Sequence, residues 1–469
     1  MDCCLTWASA HLAQIVAILL PITMPLIVFQ LLPLVVVMER RGAAFIQDRI
    51  GPHRAGLHLQ LSSVKGVFTG EAGGLRLRAF GLIYNLTDIV KGLFKEDFVP
   101  PFANKPWYLI APIIPVVIGI LATAVLPWFA PFTTAYGQTV SGQIFAPEVG
   151  LLLLFALSSL SVYGIVLGSW ASNSKYSLLG GMRASAMLIS YEVSMGLAIL
   201  GMLLIVGSFS LTDVVEWQAN HTWGIVVQPV GFLLFLVSMF AETCRTPFDV
   251  TEGDSEIVGG FHTEYAGIRF MLFMSGEYFH ILVASTLIAT LFLGGYQLLP
   301  VPGFGTAWLK ANLPLVVCGF TTITAIGLFV AVKLILGRRA HWAKRNSTDT
   351  ALRVREYSFY ATVLSLAAVG ALALGIAVAA LWHPQPVSGT IAAGTAIWPN
   401  SVNIVTAILQ IHILLGKALL LAGLFVWVRW TVPRFRYDQI MGLGWKVMLN
   451  VALVNLVLTA VIAKLVKGG

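Results

Sequence analysis

Between Ala241 and Tyr278 the chain reads AETCRTPFDVTEGDSEIVGGFHTEYAGIRFMLFMSGEY. The stretch holds Glu242, Asp249, Glu252, Asp254, Glu256, Glu264 and Glu277 against only Arg245 and Arg269, so seven of the 21 acidic residues fall within it. Carboxylates packed this closely beside apolar segments raise one another's pKa and suit proton uptake and release. A solvated loop can be acidic for solubility alone, and that reading covers Glu252 and Asp254. It does not cover Glu277, which sits inside an apolar run. Glu192 and Lys417 interrupt two other apolar runs. Counted at 1.5 Å per residue from Ala184, Ile268 and Arg429, the depths of Glu192, Glu277 and Lys417 are ~12, ~13 and ~18 Å. Ionisable groups in a bilayer interior cost of order 3 kcal/mol each on insertion scales, which favours a functional reading over a buried structural Glu–Lys pair. His280 and His412 read as core histidines before proton relays. The four cysteines, Cys3, Cys4, Cys244 and Cys318, lack metal-ligand spacing, and no glycine-rich nucleotide fingerprint or Walker loop is present. No metal site is expected.

The elements that must position these groups follow from hydropathy. The chain of 469 residues is 58% hydrophobic and 11% charged, with a mean hydropathy of +0.85, a membrane-protein composition. At ~20 apolar residues per crossing, ten spans are expected near 14–37, 108–128, 148–170, 184–207, 223–241, 270–295, 314–336, 357–381, 403–428 and 446–466. The first is expected to serve as its own insertion signal. Of the 29 Lys and Arg residues, 24 lie in the loops 39–107, 171–183, 242–269, 337–356 and 429–446. The positive-inside rule makes that side cytoplasmic and puts both termini outside. The net charge of +8 is thereby a topology signal and no argument for nucleic-acid binding.

In chain order, Pro21, Pro25 and Pro33 should kink the first span. The 39–107 loop contains two amphipathic stretches, one around ERRGAAFIQDRI and one in LTDIVKGLFKEDFVP, both expected as interfacial helices. Such a loop suggests a lateral pocket for an amphipathic small molecule. Further on, a helix continued through Cys244 would let Arg245 pair with Glu242 three residues earlier. Pro247 should end that helix by Arg245 or Thr246. The carboxylates at 249, 252, 254 and 256 would then lie on movable backbone hinged at Gly253, Gly259 and Gly260.

Several long stretches carry a resemblance. ERRGAAFIQDRIGPHRAG, LFKEDFVP, SNSKYSLLGGMRASAMLISYEV, AETCRTPFD with DSEIVGGFHTEYAGIRF, GEY at Glu277 and VRWTVPRFRYDQIMGLGWKVMLN occur in that order. They resemble the quinone-pocket membrane subunit of respiratory complex I, the H-type subunit of bacterial NADH-quinone oxidoreductases and subunit 1 of the mitochondrial enzyme. The resemblance covers eight of the ten spans. It implies an all-α polytopic membrane protein of about ten transmembrane helices: an eight-helix core plus an inserted hairpin at 314–381, expected at the periphery, with interfacial amphipathic helices on the cytoplasmic side. Residues 1–469 would form a single membrane domain. Arg54 to Lys91 takes 37 residues, ~20 more than the family's usual connection, so an insertion is placed near 58–82. Thr246 and Gly253-Asp254 also depart from the family's usual residues.

The resemblance further implies a proton-translocating NADH:quinone oxidoreductase subunit in a bacterial inner membrane. It would form the quinone chamber with the peripheral arm. Arg49, Arg54, Phe248 and Asp249 would line or brace that chamber. Arg245, Glu252, Asp254 and Glu256 would form a loop that couples to quinone reduction. Asp97, Glu148, Glu192, Glu242, Glu277 and Lys417 would supply the proton path. Quinone is the substrate; FMN, NADH and iron–sulfur clusters would belong to partner subunits. The implied partners are the peripheral-arm iron–sulfur and quinone-site subunits, small membrane subunits, antiporter-like subunits and membrane lipid, with no nucleic acid. Two alternatives stay open: the homologous subunit of a membrane-bound hydrogenase or formate-linked complex, and a secondary cation transporter, for which no inverted repeat is visible.

Overall fold

The computed structural model describes residues 11–47, 49, 51, 57–59, 75–77, 84–134, 136–250, 258–299, 304–343, 350–381 and 401–467. Arg54, Glu252, Asp254 and Glu256, with most of the 58–82 insertion, lie outside the described residues. The chain divides into two compact units, one of residues up to 305 with 410–469 and one of residues 306–409.

Helix α1 (Leu12–Ile46) runs unbroken through Pro21, Pro25 and Pro33. Its 35 residues extend ~52 Å, far more than a ~30 Å hydrocarbon core requires. The excess is ERRGAAFI, expected as part of a separate interfacial helix but continuing α1. Good helix formers there are broken by no proline before Pro52. Backbone strands β1 (Leu57–Leu59) and β2 (Leu75–Leu77) pair antiparallel, Leu57 opposite Leu77. The second amphipathic stretch does form its own helix, α2 (Tyr84–Phe94). It is tied to α1 by Tyr84, whose hydroxyl donates to Val36 O at 2.9 Å, and by the Asn85 amide, which donates to Pro33 O.

There follow α3 (Lys105–Ile110), α4 (Ile113–Val125), a two-residue ladder of β3 (Phe132–Thr133) and β4 (Thr139–Val140), α5 (Gly150–Ala171), α6 (Lys175–Val206), α7 (Leu211–Asn220), α8 (Gly224–Val227), α9 (Pro229–Glu242) and α10 (Gly267–Phe292). Beyond them come α11 (Thr306–Ala311), α12 (Leu313–Ala343), α13 (Thr350–Leu381), α14 (Ser401–Thr431) and α15 (Tyr437–Gly442). A π-helical segment at Leu443–Met448 leads into α16 (Leu449–Lys467). Among the described residues eight helical stretches are long and apolar enough to cross a membrane: α1, α5, α6, α10, α12, most of α13, α14, and Tyr437–Leu465. The protein is an all-helical polytopic membrane protein.

Two further apolar helices, α4 and α9, are shorter, at ~20 Å each. Each is preceded by a short helix across a break made by proline. Gln228 stands at φ −129°, ψ 63° immediately before Pro229, the position from which proline excludes helical backbone. Gln228 is then held by α16: its amide donates to Thr459 Oγ1 at 2.7 Å and its carbonyl oxygen accepts from Asn455 at 3.1 Å.

In the first unit α6 and α10 are the most enclosed spans, with 50% and 56% of their apolar windows buried. Helix α6 begins at Lys175, nine residues before the expected start, because SLLGGM continues the helix. Arg183 is thus an interior position, its guanidinium 5.9 Å from the Tyr437 ring centre. Helix α6 packs on α5, α9 and α16, and α10 packs on α1, α2 and α4. Small residues allow the closest approaches, as is usual between membrane helices. A Cβ on Gly164 of α5 would lie 2.8 Å from Pro115 Cδ, and one on Gly276 of α10 would lie 2.7 Å from Pro115 Cβ. Pro115 of α4 is therefore seated between two glycines. In the second unit α12 and α13 form an antiparallel pair, with the Cys318 thiol near the start of one donating to Gly375 O near the end of the other at 3.2 Å.

Candidate functional site

The structure gathers charge where α1, α10, α14 and the chain after α9 meet. Helix α9 stops at Glu242, and Cys244 takes a positive φ of 49°. The helix therefore does not reach Arg245, and the expected Glu242–Arg245 pair does not form. The Thr243 hydroxyl folds back onto Met239 O at 3.0 Å, and the Arg245 N–H closes on Phe240 O at 3.3 Å. This turn points the guanidinium at other helices. Arg245 is 5% exposed. Its Nη1 lies 3.5 Å from Glu39 Oε1 of α1, and its Nη2 lies 3.4 Å from Glu277 Oε2 of α10. The guanidinium carbon stands 4.5 Å from the Tyr278 ring centre, and the Tyr278 hydroxyl donates to Glu39 Oε2 at 2.7 Å. Arg429 of α14 makes an ion pair with the same Glu39 carboxylate. Two acids, two guanidiniums and one phenol thus share a largely dry pocket. Such charges persist in a low dielectric only when paired and hydrogen-bonded.

A second pair of acids lies along α5. Ser158 Oγ donates to Glu242 Oε1 at 2.5 Å, and Ser159 Oγ donates to Glu192 Oε1. Adjacent helical residues point ~100° apart, so one dipeptide reaches α9 on one side and α6 on the other. Each hydroxyl can donate to an ionised carboxylate or accept from a protonated one. The pair can therefore serve both protonation states of its acids.

The acidic loop is anchored at both ends. Phe248 and Asp249 are 3% and 4% exposed. Phe248 meets Tyr191 and Phe435 edge-on at 5.2 and 5.9 Å, and Asp249 pairs with Arg434 at 3.0 Å. Asp249, expected on movable backbone, is instead fixed, because the 247–249 strand of chain docks on the segment after α14. At the far end Phe261 O accepts from Ser177 at 2.8 Å, and the Tyr108 and Tyr265 rings stack at 4.3 Å. A Cβ on Gly180 would meet Phe261 N at 2.6 Å, which makes that docking close. The Tyr265 hydroxyl donates to Gly168 O at 3.2 Å. Burial raises the Tyr265 phenol and pushes Tyr84 up to about 12, so both remain donors at working pH.

The remaining expected residues lie apart. Asp97 pairs with Arg269 at 3.0 Å, beside the aromatic anchor. Arg49 is exposed, its Nε 2.5 Å from Gln47 Oε1. Glu148 is exposed in the turn before α5. Lys417 is far from the carboxylates: its Nζ donates to Leu293 O, Gly295 O and Gln297 O at 2.6, 2.9 and 2.6 Å, at the opposite end of α10 from Glu277. Sequence reasoning missed Glu39, Arg429, Tyr278 and the Ser158–Ser159 pair. Glu39 had a signal: it is an acid within one turn of two arginines at the end of an apolar helix. The serines had none beyond being polar neighbours in an apolar run.

Among the described residues no three His, Cys, Asp or Glu side chains converge as a metal site. The family model described as NADH dehydrogenase matches residues 17–340 and 356–460. An H-type subunit of the NADH-quinone oxidoreductase of Cytophaga hutchinsonii is 32% identical over 422 residues, covering 90% of this chain and 89% of that one. An H-type subunit of the same enzyme from Geobacter sulfurreducens is 35% identical over 433 residues, 92% of each chain. NADH-quinone oxidoreductase subunit 8 of Rhodothermus marinus is 35% identical over 426 residues, 90% of this chain and 89% of its own.

Proposed function

The chain belongs to the NADH dehydrogenase family, alongside the H-type subunits of NADH-quinone oxidoreductases, and from that premise we propose how its residues divide the work. It is a membrane subunit of complex I handling quinone chemistry, and so part of an oxidoreductase whose cofactors reside in partner subunits. The Glu39–Arg245–Glu277 cluster is the switch between the quinone side and the proton path. The observation that carries this reading is Arg245 buried between two carboxylates from different helices. The charge balance of that cluster is set by the loop that follows Arg245 directly in the chain.

In this reading Arg49 and Arg54 face the quinone chamber, while Phe248 and Asp249 brace its wall. Glu252, Asp254 and Glu256 respond to quinone reduction, which takes up protons nearby. Glu277, Glu242 and Glu192 then carry protonation changes inward along α10, α9 and α6, with Asp97 at the edge of the loop's anchor. Glu148, exposed in a turn, and Lys417, saturated by carbonyls, are left out of the path. The peripheral arm docks on the side of the 39–107 and 242–269 loops, and small and antiporter-like subunits continue the path through lipid. The eight long and two short apolar helices among the described residues support ten crossings, which leave both termini on one side, and the Lys and Arg distribution makes that side the outside. The hairpin at 314–381 is an addition to the family's eight-helix core.

The test is Arg245→Lys in the assembled complex. Lysine keeps the charge but loses the planar fork that addresses two carboxylates. NADH:quinone reductase activity should fall while electron transfer from NADH to an artificial acceptor upstream of quinone is spared. Equal loss of both activities points to failed assembly, and full retention of both removes Arg245 from the switch.

A further inference from the structure

A small cavity of about 30 Å³ opens among α4, α5, α9 and α10. Its wall is mostly apolar, with Ala122, Leu154 and Leu287 among the lining residues, but Ser158, Glu242 and His280 also face it. The Nε2 atom of His280 is sealed from solvent and has no hydrogen-bond partner among the described residues. Buried polar atoms nearly always find a partner. A neutral imidazole protonated on Nδ1 presents Nε2 as an acceptor. A water needs about 10–15 Å³ of such space and two to four polar partners. The cavity supplies the room, and the imidazole, the carboxylate and the serine hydroxyl supply the partners.

We infer that this cavity is a hydration site joining Glu242 to His280, and that His280 is a proton-holding station beside the acid path. The inference rests on the reading of Glu242 as a path residue. The step balances simply. Protonated Glu242 gives its proton to the water, the water gives one of its own to Nε2, and the products are a carboxylate, the same water and an imidazolium. Of the elements packed here, α4 presents Ile118, Gly119 and Ala122 to the cavity, and α9 with the residue after it presents Met239, Glu242 and Thr243. Helix α5 presents Ser158, which donates to Glu242. Glu192 acts on Glu242 electrostatically, and Glu277 precedes His280 by one turn on α10. The imidazolium would therefore form among acids, with the Arg245 charge committed to Glu39 and Glu277.

The experiment uses the whole complex in proteoliposomes, reading proton-to-electron stoichiometry and the pH profile of quinone reduction. Electron transfer from NADH to hexacyanoferrate(III) measures assembly. His280→Asn keeps a polar, similar-sized side chain but has no titratable nitrogen. Its coupled turnover should fall by up to about a hundredfold, the low end for removal of a positioned acid–base group, with an altered pH profile and unchanged hexacyanoferrate activity. Ala284→Val keeps the histidine but crowds the cavity, and should lower coupled turnover in the same direction. A wild-type His280→Asn enzyme beside an impaired Glu242→Gln enzyme overturns the inference alone. Wild-type behaviour of Glu242→Gln overturns the path reading beneath it. Impairment by His280→Asn with a wild-type Ala284→Val enzyme removes the water from the connection and overturns it too. Parallel loss of both activities in His280→Asn and His280→Gln marks a packing role and does the same.

Discussion

Exchanging Arg245 for Met, alone and together with Glu277→Gln, measures how far the buried cluster depends on charge pairing. Methionine fills much of the arginine's volume without its charge. At 3.4 Å and an effective dielectric of about 20, the Arg245–Glu277 attraction is about 5 kcal/mol. That is close to the roughly 3–5 kcal/mol lost when one partner of a buried pair is removed. Arg245→Met strips Glu277 of this guanidinium, while Glu39 keeps Arg429 and the Tyr278 hydroxyl. The local penalty should fall mainly on Glu277, which would then take up a proton. Glu277→Gln alone costs less, because Arg245 still has Glu39. The double variant removes both members of the pair, and about 2 kcal/mol of the summed loss should return. In survival of the assembled complex on heating, that coupling is about 30-fold in rate constant. The assay follows intact complex and hexacyanoferrate reduction through a temperature series for wild type, both single variants and the double. Strict additivity within about 0.5 kcal/mol would refute the reasoning, because independent sites do not share a charge.

Glu192→Gln keeps the packing against Ser159 but removes the titratable site; quinone turnover and pumping should fall in a persisting complex, and wild-type stoichiometry in proteoliposomes would sink the path assignment. Gly276→Val drives a side chain into Pro115, where even a Cβ would sit at 2.7 Å, so assembly should drop with an overpacking cost of about 1–3 kcal/mol. Gly196→Ala, with open space around it, should assemble normally, and equal behaviour of the two variants would discount the close approach. Lys417→Met leaves three carbonyls without their ammonium donor, and charged hydrogen bonds are worth about 1.5–3 kcal/mol each. The variant should melt earlier while pumping with unchanged stoichiometry, and a lowered proton-to-electron ratio in the surviving complex would return Lys417 to the path.

The helices and the acids on them were legible in the sequence because both signals are local. Apolar runs mark α1, α5, α6 and α10, and a carboxylate inside such a run stands out, as Glu192 and Glu277 did. The boundaries were less legible where no breaker occurs: α1 passes through ERRGAAFI and α6 starts at Lys175, which displaced the depths reckoned from Ala184. The partners were the hidden part. Arg245 meets Glu39 across 206 positions and Glu39 meets Arg429 across 390, and no local pattern encodes those meetings. The turn at Cys244 decided the direction of Arg245, and a cysteine in left-handed backbone leaves no sequence signal of the kind glycine does. Lys417 looked like a mid-membrane titrating group for the same reason, since its three carbonyl partners belong to another helix's end.

The seating of Pro115 between Gly164 and Gly276 makes α4 a pawl between two wheels. With backbone and ring in contact on both sides, α10 has no free play against α4, nor α4 against α5. Close-packed interiors transmit displacement instead of absorbing it. A roll of α10 that carried Glu277 away from Arg245 would push the proline ring, and the ring bears on α5 about one and a half turns from Ser158 and Ser159. Those hydroxyls hold Glu242 and Glu192. A change of charge at Glu277 that rolled α10 would therefore press on the clasp of the other two acids by shape alone.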